Sequence, residues 1–452
     1  MSCNYLIKNA LVVNEGEVYP KDILIVNGLI EDIAGRIDLS EDYRQLHGIE
    51  TLDISGKYVM PGIIDDQVHF REPGLEYKGD IASESAAAVA GGVTSFMDMP
   101  NVKPPTTTID LLEQKYAVAA ERSSANFSFY LGATNDNIGE LKKFDPENNC
   151  GVKVFLGAST GNMLVDDQQA LQQIFELPYL IAIHSEDETI IRANAEIFRQ
   201  KYGEEVPIAC HPLIRSAEAC FVSTKRAIEM AKKNGTRLHI LHLSTAAELD
   251  LLNNKIPLAG KKITAEVCVH HLWFNDTAYQ AKGTHIKWNP AIKTEQDRAA
   301  LFEAMVDGRI DVVATDHAPH TIKEKRQTYF NAPSGGPLVQ HSLKMMLEFY
   351  YRKQMSLEQI AEKMCHNPAT CFHIEKRGFI RKKYYADLVV FDLNRQVAVS
   401  EENILYKCKW SPLQGQVFHS EITNTFVNGQ MVYDGRQVSD KIKGIRLRFN
   451  PM

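Results

Sequence analysis

Four residues pose the chemical question: His69, His184, His242 and Asp316, each close to the end of a different apolar, strand-like run. Neutral imidazole is a common zinc ligand, and a carboxylate oxygen can complete such a set. Any one of these histidines alone would be an ordinary hydrogen-bonded residue. Four of them, delivered to one rim by separate strands, are hard to attribute to packing. His239 lies three positions before His242 on the same run, so on a regular strand the two face opposite ways; His242, nearer the strand end, is the expected ligand. Lys153 is the odd member, because it interrupts an apolar strand and lysine is almost never buried without a partner. It either snorkels to water or serves chemically, as an unprotonated amine that takes up carbon dioxide to form a carbamate. A carbamate would offer two anionic oxygens to a pair of metal ions about 3.5–4 Å apart.

The elements that must position these residues follow a βα rhythm. Eight strand-like runs are predicted over 63–70, 93–99, 126–134, 151–158, 179–187, 237–245, 263–272 and 311–320, with helices such as 80–90, 216–234 and 295–306 between them. That count predicts an α/β chain whose core is a (β/α)8 TIM-type barrel, with its chemistry at the C-terminal strand ends. An open doubly wound sheet would call for a Gly-rich phosphate loop after the first strand, and there is none. The two chain ends resemble each other: Asn27-Gly28 and Asn428-Gly429 each sit between apolar runs, the signature of a tight hairpin. With the β-rich run from Ala386 to Phe391, they predict a small composite β-sandwich domain from 1–60 and 375–452, enclosing a catalytic barrel at 61–374.

Composition sets outer bounds. The chain has 452 residues, 44% hydrophobic and 24% charged, with a formal net charge of −7. That balance argues against a nucleic-acid partner. The eight cysteines are scattered without a CxxC pair, as expected of reduced thiols. The first twenty residues lack the apolar core of a signal peptide, and no run reaches the roughly 18 apolar residues of a membrane span. The expectation is a cytoplasmic protein that acts on a small molecule and has no membrane association.

The motifs carry a resemblance. The run from Pro61 to Gly74 (PGIIDDQVHFREPG) closely resembles the signature of the dihydroorotases and their relatives, the allantoinases and hydantoinases. Met99-Pro100-Asn101, Lys153-Val154-Phe155-Leu156-Gly157, Leu241-His242-Leu243-Ser244-Thr245, Asn289-Pro290 and the run from Thr315 to His320 (TDHAPH) extend the similarity over nearly the whole chain. The resemblance implies a zinc enzyme with one or two ions per chain, bridged by carboxylated Lys153 and held by His69, His184, His242 and Asp316. It implies that Arg71, Asn101 and His320 hold a substrate carboxylate, for which arginine supplies a bidentate fork. Asn289 would contact the pyrimidine ring, and Ser334 and Gly335 belong to a substrate-contacting turn. The implied reaction is the reversible cyclisation of N-carbamoyl-L-aspartate to L-dihydroorotate, a step of pyrimidine biosynthesis. Asp316 would act as ligand and as general base, then as general acid. A homodimer is compatible with the resemblance, and a need for an aspartate transcarbamoylase partner is left open.

One departure is plain. The family motif is Asp-x-His-x-His, and here Gln67 stands in the first histidine position. Gln67 ligates weakly, or Asp65 or a water compensates, or a single metal is held tightly. Two other readings stay open on this ground: an allantoinase or hydantoinase, and a non-catalytic scaffold that keeps the barrel without its chemistry.

Overall fold

The computed structural model describes residues 4–157 and 163–450. Ala158, the expected end of the fourth strand, and Cys3 lie outside them. Parallel strands run in the expected order: Ile63–Val68, Val93–Asp98, Asn126–Phe129 continuing as Leu131–Gly132, Val152–Phe155, Leu180–His184, Arg237–Ile240, Ile263–Cys268 and Val312–Ala314. They pair in two parallel sheets. Beyond the last strand, His317 forms a parallel bridge to Val68, and the His69 amide donates to the His317 carbonyl at 2.7 Å, so last meets first. This arrangement is consistent with a TIM-type barrel. Nearly every residue of these strands is buried, as parallel strands covered on both faces require.

The intervening helices start where side chains satisfy the free N-terminal amides. Asp80 and Ser83 form a capping box ahead of Ile81–Ala90, Ser216 caps Ala217–Asn234, and Thr294 with Asp297 boxes Glu295–Val306. All eight strands end earlier than the sequence suggests, three of them at Val68, Ile240 and Ala314. The residues beyond them leave regular geometry because Arg71, His242 and Asp316 adopt left-handed backbone, with φ of 71°, 41° and 45°. Non-glycine residues rarely do so, and such strain gathers at functional sites.

A separate sheet of eight strands draws on both chain ends: Asn4–Asn14, Glu17–Val26, Leu29–Ala34, Ile49–Asp53, Tyr58–Pro61, Leu388–Asp392, Glu421–Val427 and Gln430–Tyr433. It is one hydrogen-bonded sheet rather than two stacked ones. The first strand changes partner along its length, from Ile49–Asp53 to Tyr58–Pro61, with a register shift at Asn9. Residues from both sides of that crease, among them Ile7, Val12, Val390 and Phe426, share one apolar core. From Gly444 onward the chain leaves this sheet and bonds to Ser123, Phe127 and Glu147 beside the third parallel strand.

Both Asn-Gly turns form as expected, with positive φ at Asn27, Gly28, Asn428 and Gly429. They touch each other. A Cβ on Gly429 would come within 2.6 Å of Gly28 Cα. Gly429→Ala should therefore lower stability by about 1–3 kcal/mol, since backbone strain is joined by a clash. Gly415→Ala is the control, because Gly415 has φ of +84° but open space around it. Equal shifts in the denaturation midpoint for the two variants would refute the contact's importance.

Candidate metal centre and active site

One cleft at the C-terminal strand ends gathers the expected residues. Gln67, His69, Arg71, Asn101, Lys153, His184, His242, Asn289, Asp316, Ser334 and Gly335 all line it, together with Phe155 and Ala318. His320 sits behind Arg71, with Nε2 2.9 Å from the guanidinium.

Hydrogen bonding assigns the histidine tautomers. Asn101 Oδ1, which can only accept, lies 2.8 Å from His69 Nδ1, so the ring proton is there. His69 Nε2 then turns a lone pair toward Asp316 Oδ1 at 3.1 Å. On the other side, Glu186 Oε2 lies 2.9 Å from His184 Nε2 and draws the proton to that nitrogen. His184 Nδ1 is left facing His242 Nε2 at 3.1 Å. Burial favours the neutral rings of all three histidines, lowering the pKa of each. The first confrontation sets electron-pair donors against each other, and His242 Nδ1 has no hydrogen-bond partner among the described residues.

Lys153 is 1% exposed, and its Nζ has no hydrogen-bond partner among the described residues. The amine lies 4.7 Å from the Phe155 ring centroid. Burial pushes its pKa down to about 7, so a large share is unprotonated near neutrality. Orphaned imidazole nitrogens, a carboxylate and a free amine fit a divalent metal centre of N and O donors.

Residues 58–432 match the amidohydrolase family, most of the chain. The chain belongs to that family. A dihydroorotase of Carboxydothermus hydrogenoformans is 34% identical over 433 residues, covering 94% of this chain and 96% of its own. A dihydroorotase of Halobacterium salinarum is also 34% identical, over 93% of this chain and 97% of its own. Among solved structures, the L-hydantoinase (dihydropyrimidinase) of Arthrobacter aurescens superposes with a TM-score of 0.89 at 26% identity, over 97% of this chain and 98% of that one.

In this amidohydrolase the unusual Gln67 is oriented by its neighbours. Its Nε2 donates to Asp316 Oδ1 at 3.2 Å, while its carbonyl oxygen faces Cys268 Sγ at 3.7 Å. The amide thus presents a donor to the Asp316 carboxylate, where a histidine would present a lone pair. Asp65 does not line the cleft. Its oxygens accept from the Thr315 hydroxyl at 2.6 Å and the Thr315 amide at 3.2 Å, and burial pushes its pKa up to about 8.

Below the cleft, His239 does not turn away from the interior. The strand's regular alternation stops at Ile240, so His239 and His242 both point inward at different depths. His239 Nε2 lies 3.0 Å from Asp66 Oδ2 and 3.6 Å from Glu266 Oε2, and Nδ1 lies 2.8 Å from Thr264 Oγ1. Burial opposes charge on this ring, but the two carboxylates outweigh it and raise its pKa to about 9. Asp66, His239 and Glu266 could hold an ion by distance; an imidazolium between the two carboxylates would balance part of their charge, though both Asp66 oxygens and Glu266 Oε2 lack hydrogen-bond partners among the described residues.

The sequence reading passed over the supports of His184. Arg215 grips both oxygens of Glu186, with Nε 3.0 Å from each. Burial alone would raise the Glu186 pKa, yet Arg215 and His184 hold it well below the usual carboxylate range. The available signal was Glu186 itself, two residues past His184 at the end of an apolar strand. Glu186→Gln should weaken divalent-metal binding about 10–100-fold, the usual effect of removing such a support. Competition with a chromophoric chelator measures it, and unchanged affinity would remove Glu186 from this role.

Proposed function

We propose that this amidohydrolase is a dihydroorotase, interconverting N-carbamoyl-L-aspartate and L-dihydroorotate with loss or gain of water. One observation carries the reading beyond the relatives' names. Arg71 is 2% exposed, and among the described residues no carboxylate forms an ion pair with it; its Nε donates to the Pro319 carbonyl at 3.1 Å and its Nη2 lies 2.9 Å from His320 Nε2. A buried guanidinium on a cleft wall needs an anion. The substrate carboxylate supplies one, whereas a neutral hydantoin or allantoin ring would leave Arg71 unpaired.

In this reading, His69, His184, His242, Asp316 and Lys153 hold zinc within a closed (β/α)8 barrel at 61–374, flanked by a composite domain of 1–60 and 375–452. Bound zinc supplies a Lewis acid that polarises a carbonyl and acidifies water. Lys153 is carboxylated: its Nζ lone pair attacks the carbon of CO2, the N–C bond forms, and an N–H proton leaves to solvent. Asp316 accepts a proton from the attacking water and delivers it to the ring nitrogen as the amide bond breaks; ring closure runs the same transfers backwards. Gln67 steadies Asp316 by donation rather than ligating. Asn289 Oδ1 accepts from Ser334 Oγ at 2.9 Å, which leaves its Nδ2 to donate to a ring carbonyl. Gly335 is obligatory, because at φ +121° a Cβ would lie 2.7 Å from both Ala318 Cβ and its carbonyl oxygen. The cysteines among the described residues are all free, in keeping with a reducing cytoplasm.

Two measurements test the assignment. Ring-opening rates on dihydroorotate, allantoin and hydantoin should rank dihydroorotate first, and faster turnover of hydantoin would overturn it. Arg71→Ala should raise KM for dihydroorotate at least about tenfold, equivalent to 1.4 kcal/mol. Stripping the metal with a chelator should abolish turnover, and zinc with bicarbonate should restore it. At fixed dissolved CO2, recovery should climb as pH passes through about 7, because deprotonated Lys153 is the reacting form. Recovery that is flat across that range would exclude the carbamate.

A further inference from the structure

Lys78 lies in the loop after Arg71, 8% exposed, and no step above uses it. Its Nζ is 3.0 Å from His320 Nδ1 and 2.9 Å from Glu324 Oε1, which keeps it an ammonium. An ammonium can only donate, so His320 Nδ1 must be the accepting nitrogen and the ring proton must sit on Nε2. Nε2–H then donates to the Ser334 carbonyl at 2.9 Å. The opposite tautomer would set N–H against the Lys78 ammonium and a lone pair against that carbonyl, two mismatches at once. Burial and the neighbouring cations keep the ring neutral, which holds this choice in place.

The chosen tautomer leaves one mismatch, and it lies at the wall of the cleft. The Arg71 Nη2 donor stands 2.9 Å from the Nε2 that already carries a proton. With Nε2–H committed to the Ser334 carbonyl, the ring cannot accept from Arg71, and Nη2 on the cleft wall is left for another acceptor, of which an anionic carboxylate matches best. We propose that Lys78, anchored by Glu324, is a positioning residue for carboxylate recognition: it fixes the His320 tautomer so that the ring offers Arg71 no acceptor and the Arg71 Nη2 donor is held for the substrate's carboxylate. This inference rests on the dihydroorotase reading.

The variant Lys78→Met keeps the length of the side chain and removes the donor. Three quantities decide the matter: KM and kcat for dihydroorotate, the inhibition constant of orotate, which bears the carboxylate, and that of dihydrouracil, the same ring without one. The expected result is a rise of about tenfold or more in KM and in the orotate constant, with kcat and the dihydrouracil constant within about threefold. Lys78→Arg, which restores a donor, should recover most of the orotate affinity. Parallel weakening of orotate and dihydrouracil would mark a merely structural role and overturn the proposal, as would an unchanged orotate constant. If the wild-type chain does not turn over dihydroorotate, the functional reading itself fails, a result separable from either.

Discussion

A buried polar group must meet its opposite, and this molecule's cleft is built from places where it does not. His69 Nε2 faces Asp316 Oδ1, acceptor against acceptor at 3.1 Å, and His184 Nδ1 meets His242 Nε2 at 3.1 Å. Arg71, buried on the cleft wall, has no carboxylate in ion-pair contact among the described residues. Lys153 Nζ has no hydrogen-bond partner among the described residues. Unmet polar groups of this kind cost on the order of 1–3 kcal/mol each, so a fold does not keep several in one cavity by accident. The signs of the mismatches sort the cleft into a cation-seeking half and an anion-seeking half. The proposed metal centre and carboxylate seat rest on that division.

Holding such groups apart from their natural partners takes a stiff frame. The parallel strands deliver the side chains, but the last adjustment is made by backbone outside regular geometry at Arg71, His242 and Asp316. Behind them, each exposed function leans on a satisfied one: His184 on Glu186 and Arg215, Asp316 on Gln67, Asn289 on Ser334. The deeper layer of Asp66, His239 and Glu266 is internally paired, and the Glu266 carboxylate reaches up to the His242 amide at 2.9 Å. The polar interior therefore runs without a break from the floor of the cleft into the core.

Much of this was legible in the chain. Alternating apolar runs gave the eight strands in order, and the polar residues at their ends converge as the expected architecture requires. Both Asn-Gly turns were readable because the type I′ turn has a narrow chemistry. Three features were not. Strand parity failed for His239 and His242, since side-chain alternation lapses once the backbone leaves the strand. The expected sandwich is a single creased sheet, because a bulge at Asn9 depends on pairing with distant strands that no local pattern records. Lys78 lies in a short polar loop without periodicity, and its partner His320 is 242 positions away in the chain.

The mixed origin of the eight-stranded sheet also bears on how the chain comes to exist. Tyr58–Pro61 is sandwiched between Asn4–Asn14 and Leu388–Asp392, and Gly28 nests against Gly429. During synthesis the opening hairpins emerge first and then wait for nearly all of the parallel-strand region to be translated. Until then their edges are open to pairing with the wrong neighbour. A product cut short would keep the pairings of Asn4–Asn14 with Glu17–Val26 and Ile49–Asp53 but leave one edge of Tyr58–Pro61 without Leu388–Asp392.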